Sequence, residues 1–173
     1  RMLRRYSREQ YLDVVARLRA AVPDLAVTTD LIVGFPGETD AEFAETLSLV
    51  DAAGFDDAFT FRFSPREGTA ATRLPDAVPD GVAAERLEVL IRAVRRVARA
   101  RNAALVGTIA EVLVEHEARR GGLLQARTRQ HRTVVLEGPA SWIGTYRTVR
   151  LVGTTGATFT GVPAATSLEV VGK

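Results

Sequence analysis

The feature that most constrains this chain is a change of periodicity at Gly107. Before it, helical spacings alternate with apolar β-type runs. After it, short strand-like runs follow one another with only turns between them. Strand alternating with helix implies parallel strands joined by right-handed crossovers. Short strands at regular spacing imply a small antiparallel barrel. The expected class is therefore α/β plus all-β, with domains at 1–106 and 107–173.

In the first part, Ser7 and Gln10 have capping-box spacing. Tyr11, Val14, Val15, Leu18 and Val22 follow at helical intervals, so they predict the inner face of a helix ending at Pro23. The run Leu25 to Val33 predicts a strand buried on both faces. Thr39 and Glu42 form a second capping box, with Phe43, Leu47 and Val50 on the inner face of the helix and Gly54 at its end. Ala58 to Phe63 alternates, placing Phe59, Phe61 and Phe63 on one face, where core packing is the expected role rather than base stacking. A long helix is predicted from about Val82 to Leu105, with Leu87, Leu90, Ile91, Val94 and Val97 as its stripe. Two strands do not make a self-sufficient parallel sheet, so this segment is expected to be the tail of a larger barrel or open sheet. After Gly107 the expected strands are 109–115, 123–129, 133–136, 147–152, 158–162 and 168–171.

Composition excludes several classes. The chain has no cysteine, which removes disulfides and makes the cytoplasm the expected compartment. No run of about 18 apolar residues is present, so no membrane span is expected. The opening RMLRRYSREQ lacks the apolar middle of a secretory signal. Net charge is only +2, but residues 107–173 carry eight Lys or Arg against five Asp or Glu. A small basic domain is compatible with a nucleic-acid partner.

Candidate sites lie at strand ends and on one basic turn. In parallel α/β folds, ligands sit at the carboxyl ends of strands. Thr29 to Glu38 is such an end, although the residues alone favour a tight strand-to-helix turn. Past the second strand, Ser64, Arg66 and Glu67 stand beside a glycine, and Arg66 could clamp a carboxylate or phosphate. The long helix carries Arg86, Arg92, Arg95, Arg96, Arg99 and Arg101, expected as a solvated face. Arg127-Thr128-Arg129-Gln130-His131-Arg132 concentrates donors on one strand and its turn, which suits phosphates and unstacked bases. No paired carboxylates, nucleophile elbow, phosphate loop or metal-ligand cluster appears, so no catalytic residue and no metal ligand is assigned.

The segments TTDLIVGFPGET, FTFRFSPREGTAA and RNAALVG resemble the radical S-adenosylmethionine methylthiotransferases, the nearest likeness being to those acting on tRNA. LLQARTRQHRTVV with EGPASWIG resembles the family's C-terminal TRAM domain, a small RNA-binding barrel. Two positions depart from the usual pattern: His131 where Asn is common, and Ala126 where Gly is. The resemblance implies the last βα units of a partial (β/α)6 radical S-adenosylmethionine barrel followed by TRAM. It implies S-adenosylmethionine and two [4Fe–4S] clusters as cofactors of the whole enzyme, with cluster ligands absent from this cysteine-free chain. It places Asp30, Ile32, Val33, Gly34, Phe63 and Ser64 at the cofactor, and Arg127, Arg129, His131 and Arg132 at RNA, to which the residues themselves add Arg66. The implied partners are a tRNA anticodon stem-loop and the N-terminal part of the same enzyme; separately, an exposed sheet edge could pair with a second copy. The implied activity is methylthiolation of a modified adenosine beside the anticodon, with this chain alone inactive. The alternatives are methylthiolation of a ribosomal-protein aspartate and a non-catalytic RNA-binding module.

Overall fold

The computed structural model describes residues 2, 4–119 and 121–164. They form two compact units, 1–98 and 99–173, whose boundary falls inside one long helix. The strand expected at 168–171 lies outside the described residues. No described helix is long and apolar enough to cross a membrane.

Unit 1 is built from α1 (Arg8–Ala21), β1 (Thr28–Val33), α2 (Asp40–Ala53), β2 (Asp57–Arg62) and the start of α3 (Asp80–Ala103). Both capping boxes form. The Ser7 hydroxyl accepts from the Gln10 amide at 3.3 Å, and the Gln10 side chain accepts from the Ser7 amide at 2.8 Å. The Thr39–Glu42 pair repeats this at 3.2 and 2.8 Å. Gly54 ends α2 in the left-handed region at φ 59°, a conformation that costs glycine nothing.

β1 and β2 pair in parallel, with Asp30 opposite Phe59 and Ile32 opposite Phe61. Leu31 and Val33 point the other way, into a core with Val50, Phe55, Leu90, Val94 and Val97. The helices thus cover one face of the two-stranded sheet. Residues of the opposite parity are left outside this core, which corrects two expectations. β1 is not covered on both faces, since Ile32 is exposed. Phe59 and Phe61 are not core residues, being 67% and 48% exposed. Alternation correctly put the phenylalanines on one face, but parity alone does not say which face the helices choose.

The face of α1 is also corrected. Val14, Leu18 and Val22 are exposed, whereas Val15 of the expected stripe is buried and Tyr11 packs half-buried against the same core. The packed seam is Arg8, Tyr11, Leu12, Val15 and Arg19, at i, i+3, i+4, i+7 and i+11. Arg8 donates to the Ser48 hydroxyl at 3.0 Å, and Arg19 donates to the carbonyls of Ala53 and Gly54. Those carbonyls end α2, where a cation also meets the negative end of the helix dipole. The two arginines thus fasten the two ends of this seam to α2.

Unit 2 is a closed barrel of β3 (Ile109–Glu117), β4 (Leu124–Thr128), β5 (Thr133–Leu136), β6 (Tyr146–Thr154) and β7 (Thr158–Pro163), in the order β3-β4-β5-β7-β6. Four of the five pairings are antiparallel. Closure comes from a parallel β5–β7 pair, which strand-like runs in sequence order did not reveal. Inward residues from every strand form the core, including Val112, Leu124, Val134, Val149 and Phe159. Ala126 is fully buried there, so a methyl group fits at this departure from the family pattern. A Cβ on Gly161 would come within 2.8 Å of Val134 Cγ1, so this position admits no side chain without a shift. Trp142 packs on the same core, and the Arg147 guanidinium lies 4.8 Å from its ring centre.

Candidate ligand recess and nucleic-acid interface

Unit 1 holds an open recess of about 730 Å³, lined by residues of β1, of β2 and the segment after it, and of α1 and α2. Asp30, Ile32, Phe61, Phe63, Ser64 and Arg66 all line it, as does Phe35. The Phe35 and Phe63 rings meet edge to face with centres 5.0 Å apart. Asp30 is exposed and makes no side-chain hydrogen bond or ion pair to the described residues. The recess therefore offers aromatic and aliphatic walls, one free carboxylate, several hydroxyls including those of Ser64 and Thr29, and the guanidinium groups of Arg4, Arg8, Arg62 and Arg66.

Val33 and Gly34 have a different place. Val33 is fully buried in the helix-facing core. Gly34 lies in the turn that leads from β1 toward α2, at φ 75°, and a Cβ on it would approach Ala83 Cβ to 2.7 Å. Its amide donates to Glu38 Oε2 at 2.7 Å. Arg86 donates to the same oxygen at 2.8 Å, to the Glu38 carbonyl at 2.9 Å and to Asp40 at 2.6 Å. It also lies 5.5 Å from the Phe43 ring centre. Burial alone would lower the Arg86 pKa, but its hydrogen bonds to Asp40 and Glu38 outweigh it and hold the guanidinium above its ordinary value. Arg86 is thus a buried clamp on the turn, not part of a solvated arginine face. On the same helix, Arg92 pairs with Glu88 and Arg96 with Asp51.

The basic segment of unit 2 occupies β4 and the hairpin leading to β5. Arg127 points outward and its Nε donates to Glu115 at 2.9 Å, while a terminal nitrogen reaches the His131 carbonyl at 3.2 Å. That hydrogen bond holds the Glu115 carboxyl below its ordinary pKa, although burial opposes the shift. Arg129 is 81% exposed and 3.4 Å from Glu111. Arg132 turns inward: its Nε donates to Asn102 Oδ1 at 3.1 Å, and Asn102 donates to the Gly156 carbonyl at 2.9 Å. It ties the end of α3 to two barrel loops. His131 sits at φ 61°, a left-handed position for which Asn and His are both enriched. That conformation accounts for His131 where Asn is common. Arg66 belongs to unit 1 and lines the recess, away from this cluster in the chain.

Sequence reasoning missed Glu38 and Arg86 as a pair, Asn102 as the anchor of Arg132, and the two glutamates that meet Arg127 and Arg129. The signal for the glutamates was the β3–β4 register, in which Leu113 faces Arg127 and sets Glu111 and Glu115 on the same outer face.

Comparison with known proteins identifies the class. The Radical SAM superfamily matches residues 1–50, and the TRAM domain matches residues 103–161. The chain thus carries a stretch of a Radical SAM superfamily domain followed by a TRAM domain, as its motifs implied. It is 45% identical to the tRNA-2-methylthio-N(6)-dimethylallyladenosine synthase of Geobacillus thermodenitrificans, over 98% of this chain and 32% of that protein. It is 43% identical to the synthase of the same name from Thermoanaerobacter sp. (strain X514), over 93% and 34%. For the Moorella thermoacetica synthase the identity is 46%, over 87% and 34%. The resemblance to the radical S-adenosylmethionine methylthiotransferases extends along nearly the whole chain, which spans about a third of the length of these relatives.

Proposed function

We propose that the chain is the C-terminal part of a cytoplasmic tRNA methylthiotransferase, in which residues 1–106 help form the S-adenosylmethionine site and residues 107–173 hold the tRNA anticodon stem-loop. The carrying observation is the match, in one unbroken order, to synthases whose name states a methylthio-adenosine product in tRNA. The recess fits an adenosine. Ile32, Phe61 and Phe63 supply walls for the purine, and Asp30 and Ser64 supply polar contacts for hydroxyl or amino groups. Val33 and Gly34 act through the backbone and the turn. In the whole enzyme, S-adenosylmethionine and two [4Fe–4S] clusters supply the radical and sulfur chemistry. Clusters of this type are held by thiolates, and this chain has none to give, so the N-terminal part of the enzyme must provide them and the chain alone is inactive. The same part covers Phe59 and Ile32. In its absence, the exposed β1–β2 sheet can pair with a second copy.

On the barrel, Arg127 and Arg129 make the phosphate contacts, His131 presents its ring beside them, and Arg132 supports the hairpin from beneath. Arg66, in unit 1, contacts a phosphate or carboxylate near the recess. Two engaged arginines predict a log–log salt slope of about −1.4 for single-stranded contacts. Anisotropy titrations of the chain with a labelled anticodon stem-loop at several salt concentrations test this. Arg127→Ala and Arg129→Ala should each weaken binding and flatten the slope. Unchanged affinity and slope in both variants would remove the basic hairpin from the interface.

A further inference from the structure

We infer that Tyr146 is a stacking platform for an unpaired RNA base, on the outer face of β3 and β6. This rests on the RNA-binding reading above and adds to it a second, non-electrostatic subsite. Unit 2 has three aromatic residues. Phe159 is fully buried in the core, and Trp142 packs on the barrel with Arg147 against its ring. Tyr146 is 62% exposed, and its hydroxyl makes no hydrogen bond to the described residues. It is therefore the most exposed of the three rings.

Its position matters more than its exposure, since single exposed apolar side chains are ordinary. Tyr146 pairs with Leu113 on β3, and Leu113 pairs on its other side with Arg127 on β4. The three residues form one row across three strands, so Tyr146 and Arg127 are separated by two strand spacings, about 10 Å. The next outward rung pairs Glu111 with Thr148, and Glu111 meets Arg129. An aromatic ring thus stands in line with Arg127, one outward rung from the glutamate that Arg129 meets.

The charges on this face give a reason for stacking to matter. Arg127 and Arg129 each meet a glutamate, so the face is less cationic than its arginines alone would make it. A base laid on Tyr146 adds contact that salt does not screen and that every base can make through its π-face. The phenol hydroxyl is free to bond a ribose 2′-hydroxyl. Unpaired loop bases can take this position, whereas bases stacked within a duplex cannot.

The test uses the full chain, a labelled anticodon stem-loop, and a fully paired RNA of matching length. Tyr146→Ala should weaken stem-loop binding about tenfold while leaving the salt slope and duplex binding unchanged. Tyr146→Phe should stay within about twofold, because the ring and not the hydroxyl supplies most of the contact. 2-Aminopurine placed in the loop should be quenched on binding the native chain, and less so on binding Tyr146→Ala. If Tyr146→Ala binds as tightly as the native chain while Arg127→Ala and Arg129→Ala weaken binding, the stacking site is wrong and the RNA reading stands. If the native chain does not bind the stem-loop at all, both fail.

Discussion

Replacing Arg86 with alanine should cost unit 1 about 3 kcal/mol, the low end of the range for breaking a buried ion pair. The magnitude follows from which partner is left behind. The Asp40 side chain is 97% exposed, so its 2.6 Å contact resembles a surface pair worth at most about 1 kcal/mol. Glu38 is different, with a side chain only 10% exposed. Without Arg86 its carboxylate keeps one described donor, the Gly34 amide at 2.7 Å, and the Glu38 carbonyl loses a bond as well. Water entering the space of the truncated side chain offsets part of that loss, hence the low end. The cost comes from stranding a charge, so it should shrink when the charge is removed. Glu38→Gln with Arg86→Met should be less destabilising than the sum of the single changes by about 1–3 kcal/mol. Hydrogen exchange at residues 34–53 is the suitable assay, because the Gly34 amide reports the clamp directly and two units need not unfold as one. A change below about 1 kcal/mol in Arg86→Ala, or strict additivity in the double variant, would refute the clamp.

Three further outcomes are expected. Gly34→Ala should destabilise unit 1 by about 2–4 kcal/mol, since it adds a left-handed penalty to a 2.7 Å approach on Ala83; loss of exchange protection in α2 checks this, and a neutral effect would mean the turn relaxes. Amides in 25–63 should exchange faster than those in the strands after 108, because a two-stranded sheet with an uncovered face is set against a closed barrel; equal protection would point to pairing between copies. Glu115 has a depressed pKa, so its contribution is present above its unfolded pKa of about 4.3 and is lost as pH falls through the folded value. Unfolding followed by Trp142 fluorescence should show that acid loss in the native chain and less of it in Glu115→Gln.

Much of the fold could be read from spacing. Both capping boxes, the glycine end of α2, the stripe on α3 and the five described barrel strands are local patterns with local causes, and they formed where expected. The failures concern the choice of a partner. Alternation grouped Phe59 with Phe61 but could not say that the helices would take the other face. Of the apolar stripe of α1, Tyr11 and Val15 packed inward while Val14, Leu18 and Val22 stayed exposed, the helix being held by a seam whose end arginines meet a hydroxyl and two helix-end carbonyls on α2. Arg86 looked like one more solvated arginine until the fold brought Glu38 to it across 48 residues. The parallel β5–β7 pair is equally long-range. In the candidate site, Asp30, Ile32, Phe63, Ser64 and Arg66 converge on one recess. Arg132 and Tyr146 depended on strand register, which is a property of the assembled barrel.

The most direct test of the central claim is mass spectrometry of tRNA from cells that carry the whole reading frame, lack it, or carry it cut before Thr108. The account predicts a methylthio group on the modified adenosine beside the anticodon with the whole protein, and its loss in the other two. Unmodified tRNA with the whole protein active, or methylthiolation found on a ribosomal-protein aspartate instead, would contradict it.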